Sequence, residues 1–213
     1  SNAGAPELRR EIASYLSRTH DLDYDWKNEV LVTVGVSEAL DLAARAILDP
    51  GDEVIIPDPC YVSYASCITL AGGVPVSVPT YEDQFFELNP NDVARHITPK
   101  TKAILLGYPA NPTGAVMPTD KLCEIAILAE RHNLLVISDE IYNRLTYGIT
   151  VPSFASMPGM KKRTILLNGV SKCYSMTGWR IGYAAGPQEI IAAMTKIHQY
   201  TMLCASSMGQ AAA

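Results

Sequence analysis

The stretch Ile165-Leu166-Leu167-Asn168-Gly169-Val170-Ser171-Lys172-Cys173-Tyr174-Ser175-Met176-Thr177-Gly178-Trp179-Arg180-Ile181-Gly182 decides how the chain is read. Its apolar opening, Ile165-Leu166-Leu167, reads as a short buried strand, and Lys172 lies just past its end. Open α/β sheets build their ligand crevices at the carboxyl ends of strands. A lysine desolvated in such a crevice has a lowered pKa, which makes its amine a nucleophile toward a carbonyl. Arg180, eight residues on, offers a planar fork suited to a phosphate. Taken alone, the Ser-Lys pair is equally a surface lysine in a turn. The rest of the chain decides against that.

Outward from this stretch the chain alternates strands and helices. Toward the N-terminus, Pro6 to His20 carries Leu8, Ile12, Tyr15 and Leu16 at helical spacing. Val30 to Val34 reads as a strand that turns at Gly35 or Val36 into a helix reaching Leu48. A strand, a glycine and a helix start make a ready anion site, because the first helical N–H groups lack partners. Strands follow at Val54–Ile56, Val74–Val78, Ala103–Leu106, Leu134–Ile137, Ile165–Leu167 and Ile181–Ala185. Helices are expected near Tyr61–Leu70, over Asn89–His96, over Thr119–His132 with Thr119 as cap, and over Pro187–Leu203 with Pro187 in its first turn. Seven strands alternating with helices predict an α/β fold, a three-layer α/β/α sandwich around a mostly parallel sheet. Residues 1–28 are read as a helix and loop leading into one large domain over 29–213.

Composition limits the function classes. Hydrophobic residues make up 48% of the chain and charged ones 18%, the balance of a globular protein. A net charge of -5 argues against nucleic acid as the main partner. No apolar run approaches a membrane span and no secretory signal opens the sequence. The five cysteines are scattered without a Cys-x-x-Cys pair, as expected for reduced thiols in the cytoplasm. The histidines lie far apart, so no metal site is expected. Ser1-Asn2-Ala3 is expected to be a cloning scar. The C-terminus stops in helix-friendly sequence without a cap, and the chain is expected to be a piece of a longer one.

Placed on this pattern, the unusual residues gather at strand ends. The Gly35–Glu38 turn follows the first strand, Asn111 the fourth, Asp139 the fifth and Lys172 the sixth. Each has a plainer rival. Asn111-Pro112-Thr113-Gly114 is a good turn, Asp139 also suits the N-cap of a turn starting at Ile141, and Tyr61 also suits a core. An apolar strand ending in Asp-Glu serves magnesium in a P-loop nucleotidase, but the chain has no Gly-x-x-x-x-Gly-Lys-Ser/Thr loop. Nor does it have a dinucleotide Gly-x-Gly-x-x-Gly or a hydrolase Gly-x-Ser-x-Gly. A carbonyl-seeking lysine beside a phosphate-holding arginine is instead what a pyridoxal phosphate site needs.

The set Asn111-Pro112-Thr113-Gly114, Asp139-x-x-Tyr142 and Ser171-Lys172 with Met176-Thr177-Gly178-Trp179-Arg180-Ile181-Gly182 resembles the class I and II aminotransferases. These are fold-type I pyridoxal-phosphate enzymes of the aspartate aminotransferase superfamily. The resemblance extends to Gly35-Val36-Ser37-Glu38-Ala39 and Gly51-Asp52-Glu53-Val54, and so covers nearly the whole chain. It implies that Lys172 forms the Schiff base with the cofactor and that Asp139 pairs with the pyridine nitrogen. Asn111 and Tyr142 would hydrogen-bond the phenolate oxygen, and Tyr61 would stack on the ring. Arg180 would take the phosphate, with the backbone N–H groups of Val36 and Ser37 and the Ser171 hydroxyl. One departure bears on Ser171: many relatives carry a phosphate-binding serine three residues before the lysine, where this chain has Gly169.

The implied reaction is ping-pong transamination between an amino acid and a 2-oxo acid, in a homodimer. Two other readings compete with it: a carbon–sulfur β-lyase on the same fold, and a binding module without catalysis, against which Lys172 argues. Relatives also carry a smaller domain with a carboxylate-binding arginine, and an upstream tyrosine, that have no counterpart in these 213 residues. The chain by itself is therefore expected to turn over poorly, and which amino acid it uses is not legible.

Overall fold

The computed structural model describes residues 2–213. One seven-stranded sheet runs through the molecule in the order β1-β7-β6-β5-β4-β2-β3. The strands are β1 Val30–Thr33, β2 Glu53–Asp58, β3 Val74–Pro79, β4 Thr101–Gly107, β5 Leu135–Asp139, β6 Thr164–Gly169 and β7 Gly182–Ala185. β7 runs antiparallel to both of its neighbours, β6 and β1, and every other pairing is parallel. Six strands thus point the same way and only β7 opposes them.

Side chains along a strand alternate between faces, and this alternation builds two cores from the same strands. Leu105 of β4 and Ile137 of β5 join one core, with α2 (Gly35–Ile47), α3 (Ser63–Leu70) and α6 (Gln188–Thr201). Ile104, Leu106 and Val136 face the other side, under α4 (Pro90–His96) and α5 (Thr119–Arg131). A third cluster seats α1 (Pro6–His20) against β1 and β7 through Ile12, Leu16, Val30 and Tyr183. The expected three-layer arrangement is what forms. A short α7 (Ser207–Ala212) follows α6.

Several boundaries differ from expectation by a residue or two. α5 begins at Thr119, but Thr119 is not its cap. The Pro118 carbonyl accepts the first helical hydrogen bond, from Leu122 N–H at 3.0 Å, so the cap is Pro118 and no side chain serves it. Pro187 is likewise the N-cap of α6 rather than part of its first turn. Tyr61 lies in the loop before α3, which starts at Ser63. Of the expected N-terminal scar, Ser1 lies outside the described residues. Asn2 donates to Gln199 Oε1 at 2.7 Å, and the Ala3 carbonyl accepts from Val32 N–H at 3.1 Å.

Candidate active site

Because β1, β4, β5 and β6 run parallel, their carboxyl ends lie along one side of the sheet, and β7 reverses there. The chain leaves β2 outward to β3 and returns to β4 on the other side of β2. A crevice opens where strand order reverses in this way. A cavity of about 220 Å³ lies along this side. All nine residues picked from the sequence line it: Val36, Ser37, Tyr61, Asn111, Asp139, Tyr142, Ser171, Lys172 and Arg180. A second cavity of about 200 Å³, under Tyr15, Cys173 and Tyr183, includes none of them.

Asp139 is the last residue of β5, flanked in register by Gly107 of β4 and Leu167 of β6. Its carboxyl is buried. Oδ2 accepts from the Tyr64 hydroxyl at 2.9 Å and Oδ1 from Ile141 N–H at 3.2 Å. The bond to Ile141 is the local turn contact foreseen as the rival reading, and it coexists with a place in the crevice. Burial pushes the carboxyl up to about 6, while the Tyr64 and Ile141 donors and the Lys172 charge pull it down.

Tyr64 was not singled out by the sequence. It reaches Asp139 from α3 because Gly107 has no side chain: a Cβ there would lie 2.1 Å from the Tyr64 hydroxyl oxygen. Burial and the Asp139 charge hold the Tyr64 phenol well above its usual pKa, so it stays a donor. Tyr61 stands edge-on to Tyr64 with ring centroids 5.7 Å apart. The only available signal was the i, i+3 spacing of Tyr61 and Tyr64 in Tyr61-Val62-Ser63-Tyr64.

The Lys172 side of the crevice corrects one expectation. Lys172 is exposed rather than desolvated, with Nζ 5.6 Å from the Tyr142 ring centroid. The strand β6 ends three residues before it, and the intervening turn carries it clear of the core. Ser171 is buried, and its carbonyl accepts from the Thr177 hydroxyl at 2.9 Å. Asn111 is exposed at the rim, four residues past the end of β4. Gly169 admits no serine without displacement, since a Cβ there would come within 2.7 Å of the Ile181 carbonyl oxygen.

Arg180 closes the far side. It donates from Nη1 to the Thr177 carbonyl at 3.0 Å. Its guanidinium lies over Gly35, where a Cβ would be only 2.3 Å from Nη2. Gly35 has φ +74°, a left-handed conformation that suits glycine, and it opens α2. No side chain caps α2 at Val34, and Val36 and Ser37 of its first turn line the crevice together with Arg180. A helix start beside a guanidinium is a combination that suits an anion.

A lysine, a buried carboxylate and an arginine thus meet on one side of a three-layer α/β sheet. The chain belongs to the aminotransferase class I and II family, whose model matches residues 1–213. It is 52% identical over 213 residues to a putative aminotransferase, YugH, of Bacillus subtilis, and 45% identical to an aspartate aminotransferase of Pyrococcus abyssi. Both alignments take in 100% of this chain and 55% of the relative. Its fold superposes on N-succinyldiaminopimelate aminotransferase from Mycobacterium tuberculosis with a TM-score of 0.97, at 38% identity. That superposition covers 100% of this chain and 56% of the other. An aspartate aminotransferase from Thermus thermophilus with maleate gives 0.95 at 42% identity, over 98% of this chain and 54% of the other. The chain thus spans about half the length of the relatives it matches.

Proposed function

We propose that the protein is a pyridoxal-phosphate-dependent aminotransferase that moves an amino group from an amino acid to a 2-oxo acid in two half-reactions. The observation that carries this reading is the convergence on one crevice of Asp139, at the end of β5, with Lys172 and Arg180, in the connection from β6 to β7. The donor set suits the cofactor at both of its poles. A buried carboxylate with one oxygen on Tyr64 matches a protonated ring nitrogen, and the Arg180 corner over Gly35 matches a phosphate dianion.

When bound, pyridoxal phosphate supplies an electron sink for the pair freed as the substrate Cα loses its proton. Asp139, as a carboxylate, would favour the protonated state of a nitrogen placed against it. Lys172 presents a primary amine that anchors a carbonyl carbon and, when free, holds or hands on a proton at Nζ. Asn111 and Tyr142 would hold the cofactor by hydrogen bonds, and Tyr61 would offer it a flat apolar face. Val36 and Ser37 N–H groups, with the Ser171 hydroxyl, complete the anion corner around Arg180. The relatives above bear aminotransferase names, which favours transamination over β-elimination.

A homodimer fits the exposed Val62 and Trp179, apolar neighbours in sequence of the crevice residues Tyr61 and Arg180. Five unpaired cysteines fit the reducing cytoplasm. Among the described residues, no helix is long and apolar enough to cross a membrane. The test is a visible absorption spectrum of the purified protein with pyridoxal phosphate, beside Lys172→Ala. A band that borohydride bleaches, with the adduct mass on the Lys172 peptide and none in the variant, is the expected result. A folded protein with no band, or an equal band in Lys172→Ala, would overturn the assignment.

A further inference from the structure

Glu38 and His198 form a buried pair that the proposed chemistry does not use. Glu38 is the fourth residue of α2, and its two carboxylate oxygens are both engaged. Oε2 accepts from Val34 N–H at 2.5 Å, at the residue where β1 turns into α2. Oε1 lies 2.7 Å from His198 Nδ1. His198 sits near the end of α6 with no exposed side-chain surface, and its Nε2 has no hydrogen-bond partner among the described residues. With a carboxylate facing Nδ1, that nitrogen is the one that donates to Glu38. A buried imidazole with one unmet nitrogen is unfavourable by itself, so its contact with Glu38 is the interaction that accounts for it.

The anion corner has two halves from distant parts of the chain. One is the first turn of α2, opened by Val34 and Gly35. The other is Arg180, which stands two residues before β7, the strand that leads into α6. The Glu38–His198 pair bolts the first half to the helix that continues from the second. We propose that Glu38, held by His198, is a positioning residue that sets the α2 turn in register with Arg180 for the phosphate. This inference rests on the pyridoxal-phosphate reading above.

The test compares pyridoxal phosphate with pyridoxal, which offers the same aldehyde and ring without the phosphate, each titrated by its absorption band. Glu38→Asp keeps the charge but is one methylene shorter, so it cannot reach Val34 and His198 together. The expected result is a preference for the phosphorylated form reduced about tenfold with pyridoxal affinity little changed, while the cofactor-free protein melts at a lower temperature because a buried contact is lost. His198→Asn, whose amide can replace the Nδ1 donor, should keep the preference, and His198→Leu should lose it. An unchanged preference in Glu38→Asp, or pyridoxal affinity falling in step, overturns the inference. Should Glu38→Asp not fold, the His198→Asn and His198→Leu pair decides. A wild-type protein that binds neither aldehyde would instead overturn the cofactor reading itself.

Discussion

Asp139 is held between opposing influences. Burial drives its carboxyl up, and the Tyr64 hydroxyl and Ile141 N–H bring it back to about 6. Removing one donor should tip this balance. Tyr64→Phe is expected to raise the Asp139 pKa by roughly one unit and to cost about 1–2 kcal/mol of stability. Carboxyl-carbon NMR titration of the cofactor-free protein, with Asp139→Asn to assign the signal, measures the first, and denaturant unfolding the second. A carboxyl that titrates unchanged in Tyr64→Phe would show that the bond does not tune it. At this scale the sequence was informative wherever chemistry is written into a local motif. Asp139 stands out as a carboxylate ending an apolar strand, and Lys172 and Arg180 stand out in one continuous stretch. Tyr64 did not, because its partner is 75 residues away and a tyrosine on a helix is ordinarily core.

Among the elements, the seat of α3 on the sheet depends on a missing side chain. Gly107 ends β4, and Tyr64 projects from α3 across it to Asp139. Gly107→Ala puts a methyl 2.1 Å from the hydroxyl oxygen and 2.9 Å from ring carbons of Tyr64. The ring must move, so the substitution should cost about 1–3 kcal/mol and weaken the Asp139 bond. In a Tyr64→Phe background the penalty should shrink without vanishing, because the ring carbons remain close. A double-mutant cycle by urea unfolding reads this directly, and fully additive costs would show that the two residues do not meet. The strands and helices α1 to α6 were legible to within about two residues, since they rest on local periodicity; α7 was not expected. Caps were less so: Thr119 has the right chemistry, yet the Pro118 carbonyl takes the first bond.

For the molecule as a whole, two adjacent buried carboxyls make stability depend on pH. Burial raises Asp139 to about 6 and Glu140 to about 7, although Ser153, Ser138 and Phe154 N–H donate to the latter. A raised carboxyl pKa means that the folded state binds the proton more tightly than the unfolded chain does. The stabilisation is fully present below the unfolded values near 4 and is lost as pH rises through about 6 and about 7. Each group is worth on the order of 3 kcal/mol by this linkage, and their mutual repulsion keeps the two from adding simply. His20, lowered by burial and by Arg144, works the other way. Melting of the cofactor-free protein between pH 8 and pH 5 should therefore slope less steeply toward acid stability in Glu140→Gln than in wild type. Identical slopes would mean that Glu140 is ionised across that range.

The alternation of strands and helices, the largely parallel sheet and the residues that could carry cofactor chemistry were all determined by the sequence, because each is encoded in neighbours along the chain. The tertiary structure decided the rest. It turned β7 antiparallel, which brings Arg180 back to the crevice, and it set Tyr64 on Asp139 and His198 on Glu38. It also left Lys172 exposed where a desolvated lysine was expected. The reason is common to these cases. Which partner a buried polar group finds, and how deep a side chain lies, depend on the register and packing of elements far apart in sequence. No local pattern carries that information.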